Sequence, residues 1–269
     1  MTPNFRAFPT RFAAAWAALA AACLCAAAPA RADLSYQEGL AKDPQSQTLL
    51  YREEHWTRRA DEGIGERIVL YRCPDGTAFA RKRIDYRRSP VAPAFRFEDR
   101  RFDYVEGLRW DDRPAVFVRE RGAAREKAAT LAPARLVADA GFDEFIRRHW
   151  DALVAGREVP LAFAIPARQQ SIGFTLKRIG PAEFPGEPAW VFRLSLSGWL
   201  RFLAPHVDVL YGQRTQRLLR FEGPSNLRDD AGRAPLNARI DFARPPRDSG
   251  EAEWAAALTA PLSACRTGR

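Results

Sequence analysis

The chain has 269 residues, 42 of them basic and 33 acidic, for a formal net charge of +9. Arginine outnumbers lysine 38 to 4, the skew of a GC-rich coding sequence. The arginines alternate with acids, as in Arg96-Phe97-Glu98-Asp99-Arg100-Arg101, which describes a salt-laced surface and argues against nucleic acid as a partner. Three histidines without an H-x-x-x-H pair, and no C-x-x-C, G-x-S-x-G or glycine-rich phosphate loop, leave no metal, cofactor or nucleophile to nominate.

Arg6 and Arg11 lead into an apolar run over residues 12–28, and Ala30-Arg31-Ala32 forms a small-x-small cleavage signal. This is the pattern of a secretory signal peptide cut after Ala32. A membrane anchor or a lipidated Cys23 are the rival readings. Removing residues 1–32 takes Arg6, Arg11 and Arg31 away and leaves 237 residues, with 39 basic and 33 acidic side chains, +6. No later run approaches membrane-spanning length, so no transmembrane segment is expected after cleavage. Cys73 and Cys265 then remain, in a compartment that permits disulfides. A bridge across a very long loop and two separate buried thiols both stay open.

Residues 33–47 are polar and mixed, and predict a loosely held terminus. Residues 49–56 and 66–73 are strand candidates. Pro74-Asp75-Gly76 is a turn, and residues 77–86 return as a strand. Glu53 and His55 share one face of the first of these, a pattern of surface charge on an edge strand. Residues 88–94 hold two prolines and predict a loop. Two half-amphipathic pieces come next within 95–110, then a turn at Asp111-Asp112-Arg113-Pro114 and a strand over 115–121. Residues 122–138 are ambiguous, with a short strand leading to a helix.

Phe142, Phe145, Ile146, His149, Trp150, Leu153 and Val154 form one stripe at helical period, so the spacing predicts a single amphipathic helix over 141–156. Asp143 and Glu144 suit its first turn, and Gly156 its end. His149 lies inside the stripe, where a half-buried ring bonded to a carbonyl is expected rather than a ligand or base. Val159, Leu161, Phe163 and Ile165 alternate as a strand, as do Ile172, Phe174 and Leu176. A Pro/Gly loop is predicted over 180–188, with strands after it through Trp190, Phe192, Leu194 and Leu196, and through Val207, Val209 and Tyr211. Between them, 198–204 forms a buried turn or an exposed contact carrying Trp199 and Phe202. Leu219 and Phe221 lead to a turn at 223–226, and Ala238, Ile240 and Phe242 make a last strand. From about 243 a loose tail is expected, with an apolar patch at Trp254.

The fold class is therefore mainly β (α+β): a curved antiparallel sheet or half-barrel of about ten strands with one main helix (141–156) packed on it, in a single domain over 33–269. The sheet carries many bulky residues on one face, among them Phe79, Phe95, Phe97, Phe102, Trp110 and Phe221. Either they fill a core, or the sheet curls around a cavity for an apolar ligand with the helix as its plug. The candidates for such a site are Phe163, Phe174, Trp190 and Phe192 on the sheet, with Phe145 and Trp150 on the helix above.

Residues 142–156 (FDEFIRRHWDALVAG), the strand over 159–166, and 219–226 (LRFEGPSN) before 238–242 resemble the half-barrel of the bacterial periplasmic lipoprotein carriers and related exported proteins of unknown function. The likeness covers about half of the mature chain. It implies binding of acyl chains or a lipidated partner in the periplasm. The expected function is that of a non-catalytic periplasmic binding protein for a hydrophobic small molecule, a lipid or a lipidated protein, without a cofactor. One rival is a structural envelope protein docking through Trp199 and Phe202. The other is a periplasmic hydrolase built on His55 or His149, provided a carboxylate and a hydroxyl lie within reach of the ring.

Overall fold

The computed structural model describes residues 33–61, 63–132, 134–198 and 206–268. The predicted signal peptide, Cys23 and the Trp199–Phe202 segment lie outside the described residues. From Ala32 onward the chain forms one compact unit. Its strands are β1 (Leu34–Lys42), β2 (Leu49–Ala60), β3 (Gly63–Arg72), β4 (Ala78–Asp85), β5 (Ala94–Asp99), β6 (Tyr104–Trp110), β7 (Pro114–Arg119) and β8 (Lys127–Thr130). After β9 (Leu136–Val137) come the helices α1 (Gly141–Arg148) and α2 (Trp150–Val154), then β10 (Val159–Ile165), β11 (Gln170–Phe184) and β12 (Glu187–Leu196). The chain closes with β13 (Val207–Gly212), β14 (Leu218–Arg228), β15 (Pro235–Asp241), β16 (Arg247–Asp248) and helix α3 (Glu251–Thr259).

All sixteen strands belong to one sheet, more than the ten expected. Its order is β8-β7-β6-β5-β4-β3-β2-β1-β15-β14-β13-β12-β11-β10-β9, with β16 also pairing β1; the pairs are antiparallel except β9–β10. The path is two meanders joined at β1. Its two ends, β8 and β9, are consecutive in sequence, separated only by residues 131–135. The turn at Pro166–Arg168 touches β6 and β7, so the sheet curls until its ends approach each other.

The strand at the join is one that the pattern missed. Instead of a loose terminus, residues 34–42 pair with β2 on one side and with β15 and β16 on the other. The inward positions of β1 are the small residues Gly39 and Ala41, both buried. A Cβ on Gly39 would come within 2.6 Å of the Phe242 ring. The bulk at the join therefore comes from Ile240 in β15 and from Phe242 just past its end, and the inner face of β1 has no large apolar side chains of its own to announce it.

Two more boundaries move for a related reason. The predicted loop at 180–188 is mostly strand: β11 runs through Gly180-Pro181, with Pro181 opposite Trp190. Residues 177–184 extend past the end of β10, which pairs only 170–176, so Pro181 sits on a free edge where its missing N–H breaks no ladder. Likewise β14 continues through Pro224, beyond the stretch paired with β13.

The single helix over 141–156 is two short ones. At His149 the backbone leaves α geometry (φ −106°, ψ 15°) and its N–H is shared between the carbonyls of Phe145 and Ile146. The apolar stripe survives the break, and Gly156 ends it at φ +80°. Gly141 starts α1 against the loop of residues 86–93: an added Cβ would lie 2.2 Å from the Val91 carbonyl oxygen. We expect Gly141→Ala to cost about 1–3 kcal/mol, read as a lower denaturant midpoint, because the loop must shift to make room.

The expected loose tail is also packed. α3 sets Trp254 and Ala257 on Leu34, Trp56, Ile68, Leu70 and Ala78. Beyond it, Cys265 is bonded to Cys73 across 192 residues, and the Gly268 amide donates to the Leu50 carbonyl. No helix among the described residues is long and apolar enough to cross a membrane.

Candidate functional site

Within β3, Ile68 and Leu70 pack with α3, whereas Val69 and Tyr71 enter a different cluster. Strand periodicity makes these the outer and inner faces of the sheet. On the inner face of β9–β13, α1 and α2 place Phe145, Ile146, Trp150 and Leu153 against Leu161, Leu176, Phe192 and Tyr211. The Trp150 ring stands 5.4 Å from Phe192 and 6.4 Å from Tyr211, edge to face, and Phe192 and Tyr211 are 6.0 Å apart. At the β10–β11 end, Phe163 meets Phe174 at 6.3 Å and Phe142 at 6.2 Å. Trp190 lies beneath the Arg178 guanidinium, 4.4 Å from its centroid.

All six candidate residues therefore join one cluster, and they divide into two groups. Phe145, Trp150 and Phe192 are sealed between helix and sheet, Phe192 completely. Phe163, Phe174 and Trp190 keep part of their surface open, as does Phe142. The space under the helix is filled by side chains, and the accessible aromatic surface lies at its rim.

The helix pair is also tied down by charge. Asp143 accepts a hydrogen bond from the Tyr211 hydroxyl at 2.8 Å and pairs with Arg147 at 2.9 Å and Arg67 at 3.7 Å. Burial pushes its carboxyl up, but Arg147, Arg67 and the Tyr211 hydroxyl outweigh burial and hold it below the usual carboxylate range. One residue pair upstream does the same job: Lys82 of β4 donates to Asp139 at 2.6 Å, and Asp139 stands at φ +45° just before α1. Arg67 and Lys82 come from the N-terminal meander and Tyr211 from the C-terminal one, so both meanders grip the same helix. In the sequence Asp143 is legible only as a first-turn acid. Nothing in the local sequence links Asp139 to a lysine 57 positions earlier.

The inner face of the N-terminal meander has a different character. Tyr51, Tyr71, Phe79, Phe97 and Tyr104 pack with centroids 5.7–6.5 Å apart, and the Lys82 ammonium sits 5.7 Å from Phe97. Tyr104 donates to Glu106 at 2.7 Å. Burial pushes the Glu106 carboxyl above its usual range, against the pull of that hydroxyl and of Lys82. Glu53 and His55 belong here too, bonded at 2.9 Å. They do not lie on an edge: β2 is paired on both sides, and Glu53 is 7% exposed. The carboxylate required by the hydrolase reading is thus present at His55. No serine, threonine or cysteine bonds its ring among the described residues, where its other neighbour is the Phe242 ring at 5.4 Å. His149 donates Nδ1–H to the Phe145 carbonyl at 2.9 Å, the arrangement expected of a half-buried helix histidine. No group of three or more metal-ligating side chains occurs among the described residues.

No protein-family model matches the chain, and no curated protein does. Among solved structures the chain is similar to a DUF1329 family protein from Desulfovibrio piger, at 9% identity and a TM-score of 0.30, covering 86% of this chain and 92% of that one. It is also similar to a putative outer membrane lipoprotein-sorting protein domain from Vibrio parahaemolyticus, at 8% identity and a TM-score of 0.26, covering 83% and 88%. The second of these is named for lipoprotein sorting, the class that the sequence resembles. At such TM-scores the likeness carries no argument about function. The chemistry has to be read from this chain's own residues, and the disulfide is the clearest of them: a bridge of this kind fits an oxidising compartment.

Proposed function

We propose that this chain is an exported, periplasmic binding protein that holds a hydrophobic or lipid-like ligand, without catalysis, against the aromatic inner face of its C-terminal meander. One observation carries the reading: Phe142, Phe163, Phe174 and Trp190 stay partly open at the rim of a helix-covered aromatic cluster. Aromatic surface left accessible beside a packed core is a characteristic of binding sites. The sealed residues Phe145, Trp150 and Phe192 would join the site when the helix pair gives way.

Native mass spectrometry of the mature protein isolated from the periplasm, combined with lipid extraction, tests this. A co-purifying acyl species that is lost in Phe174→Arg is the expected result. A clean apo mass, or fatty-acid uptake unchanged by Phe174→Arg, would overturn it.

A further inference from the structure

On the outer face, α3 and strands β3–β7 leave a groove of about 520 Å³, within the size range of small-molecule sites. Ile68 and Phe117 from the sheet, with Trp254 and Leu258 from α3, make an apolar floor. The groove is built rather than incidental. Arg81 donates to the carbonyls of Ala257, Leu258 and Ala260 at 3.3, 2.7 and 3.1 Å and so fixes the end of α3. The Arg58 guanidinium lies 4.6 Å from the Trp254 ring. Phe117 lies over Gly107, where a Cβ would meet its ring at 2.5 Å.

The charges around this floor are almost all matched. Arg96 and Arg109 share Glu126, at 2.9 and 4.0 Å. Arg109 also reaches Asp111, and Arg87 holds both Glu66 and Asp85. Arg67 turns to Asp143 on the inner face. Arg83 differs: it is exposed, and the contact it makes among the described residues is to the Leu258 carbonyl, at 3.3 Å, with no carboxylate. One unmatched guanidinium beside an apolar floor is complementary to one acid group on an apolar chain.

We propose that this outer groove binds a free long-chain carboxylate, its acid group on Arg83 and its chain along Ile68, Phe117, Trp254 and Leu258. The site lies on the opposite face of the sheet from the aromatic rim and does not depend on that reading.

Titrating the mature protein with dibrominated stearic acid, whose bromines quench tryptophan in contact, provides the test. Saturable quenching is expected, with its amplitude reduced in Trp254→Phe. Arg83→Gln is expected to weaken binding at least about tenfold, the size of a charge-assisted hydrogen bond. The brominated alcohol of the same chain should lose a similar factor against the wild type and none against Arg83→Gln. Unchanged affinity in Arg83→Gln, or quenching indifferent to Trp254→Phe, would overturn the proposal. Binding lost in Phe174→Arg but intact in Arg83→Gln would overturn it while leaving the aromatic-rim reading standing; the reverse pattern would do the opposite.

Discussion

The double variant Cys73→Ser/Cys265→Ser is expected to be about 3–5 kcal/mol less stable than the oxidised protein. In the chain-entropy model, closing a loop of 192 residues is worth about 5 kcal/mol to the folded state. Loss of the bridge should also be felt locally. Thr267 is tied to Asp230 through both its amide (3.1 Å) and its hydroxyl (2.8 Å), and Gly268 to Leu50, but these bonds hold a terminus that the bridge keeps in place. Hydrogen exchange should therefore rise first over 260–268 and then in α3, before the core strands open. Denaturant unfolding of the variant beside the oxidised and reduced wild type measures the global figure. A loss below about 1 kcal/mol with unchanged exchange in α3 would mean that Trp254 and Ala257 hold the segment without the bridge.

Asp143→Ala should cost about 3 kcal/mol, the scale for removing one partner of a buried ion pair. The carboxylate is 13% exposed, and its loss takes from Arg67 its carboxylate partner, leaves Arg147 with the carboxylate of Glu144 alone, and leaves the Tyr211 hydroxyl without its acceptor. The same contact predicts a pH dependence. A carboxyl whose folded pKa lies below its ordinary value contributes stability that is fully present above the ordinary value and is lost as pH falls through the folded one. Asp143 is such a group, so the wild type should weaken as pH drops below about 4, and Asp143→Asn should flatten that part of the profile. Melting temperatures collected from about pH 7 down to about pH 2 would show it. Identical acid limbs in the two proteins would mean that other carboxylates govern the transition.

The period of a helix or a strand is a property of consecutive residues, and whatever depended on it was legible without coordinates. The apolar stripe from Phe142 to Val154, the turn at Pro74-Asp75-Gly76 and the alternations through Phe163, Phe174 and Phe192 all appear as elements where the pattern places them. That stripe, through Phe145 and Trp150, and the strand alternations, through Phe163, Phe174, Trp190 and Phe192, pointed to the six aromatic residues that the fold gathers into one cluster.

The features that escaped the pattern depend on residues far apart in the chain. β1 is central because Phe242 and Ile240, about 200 positions away, supply the bulk that Gly39 and Ala41 lack. Pro181 and Pro224 sit within strands because their neighbours end early, which only the pairing reveals. Glu53 shares the inner face with Tyr51, and is buried there rather than lying on an edge because β2 is flanked on both sides. Lys82 found Asp139, Asp143 found Arg67, and Cys73 found Cys265, each across a separation no window can span. Helix or strand, and which face of each is apolar, were settled by neighbouring residues, because these are local preferences of backbone and side chain. Long-range pairing alone settled which strand joins the two meanders, which charges are matched, and that Arg83 is left beside an apolar groove. Closing a sheet of this size brings residues together by register, and register is not written in their order along the chain.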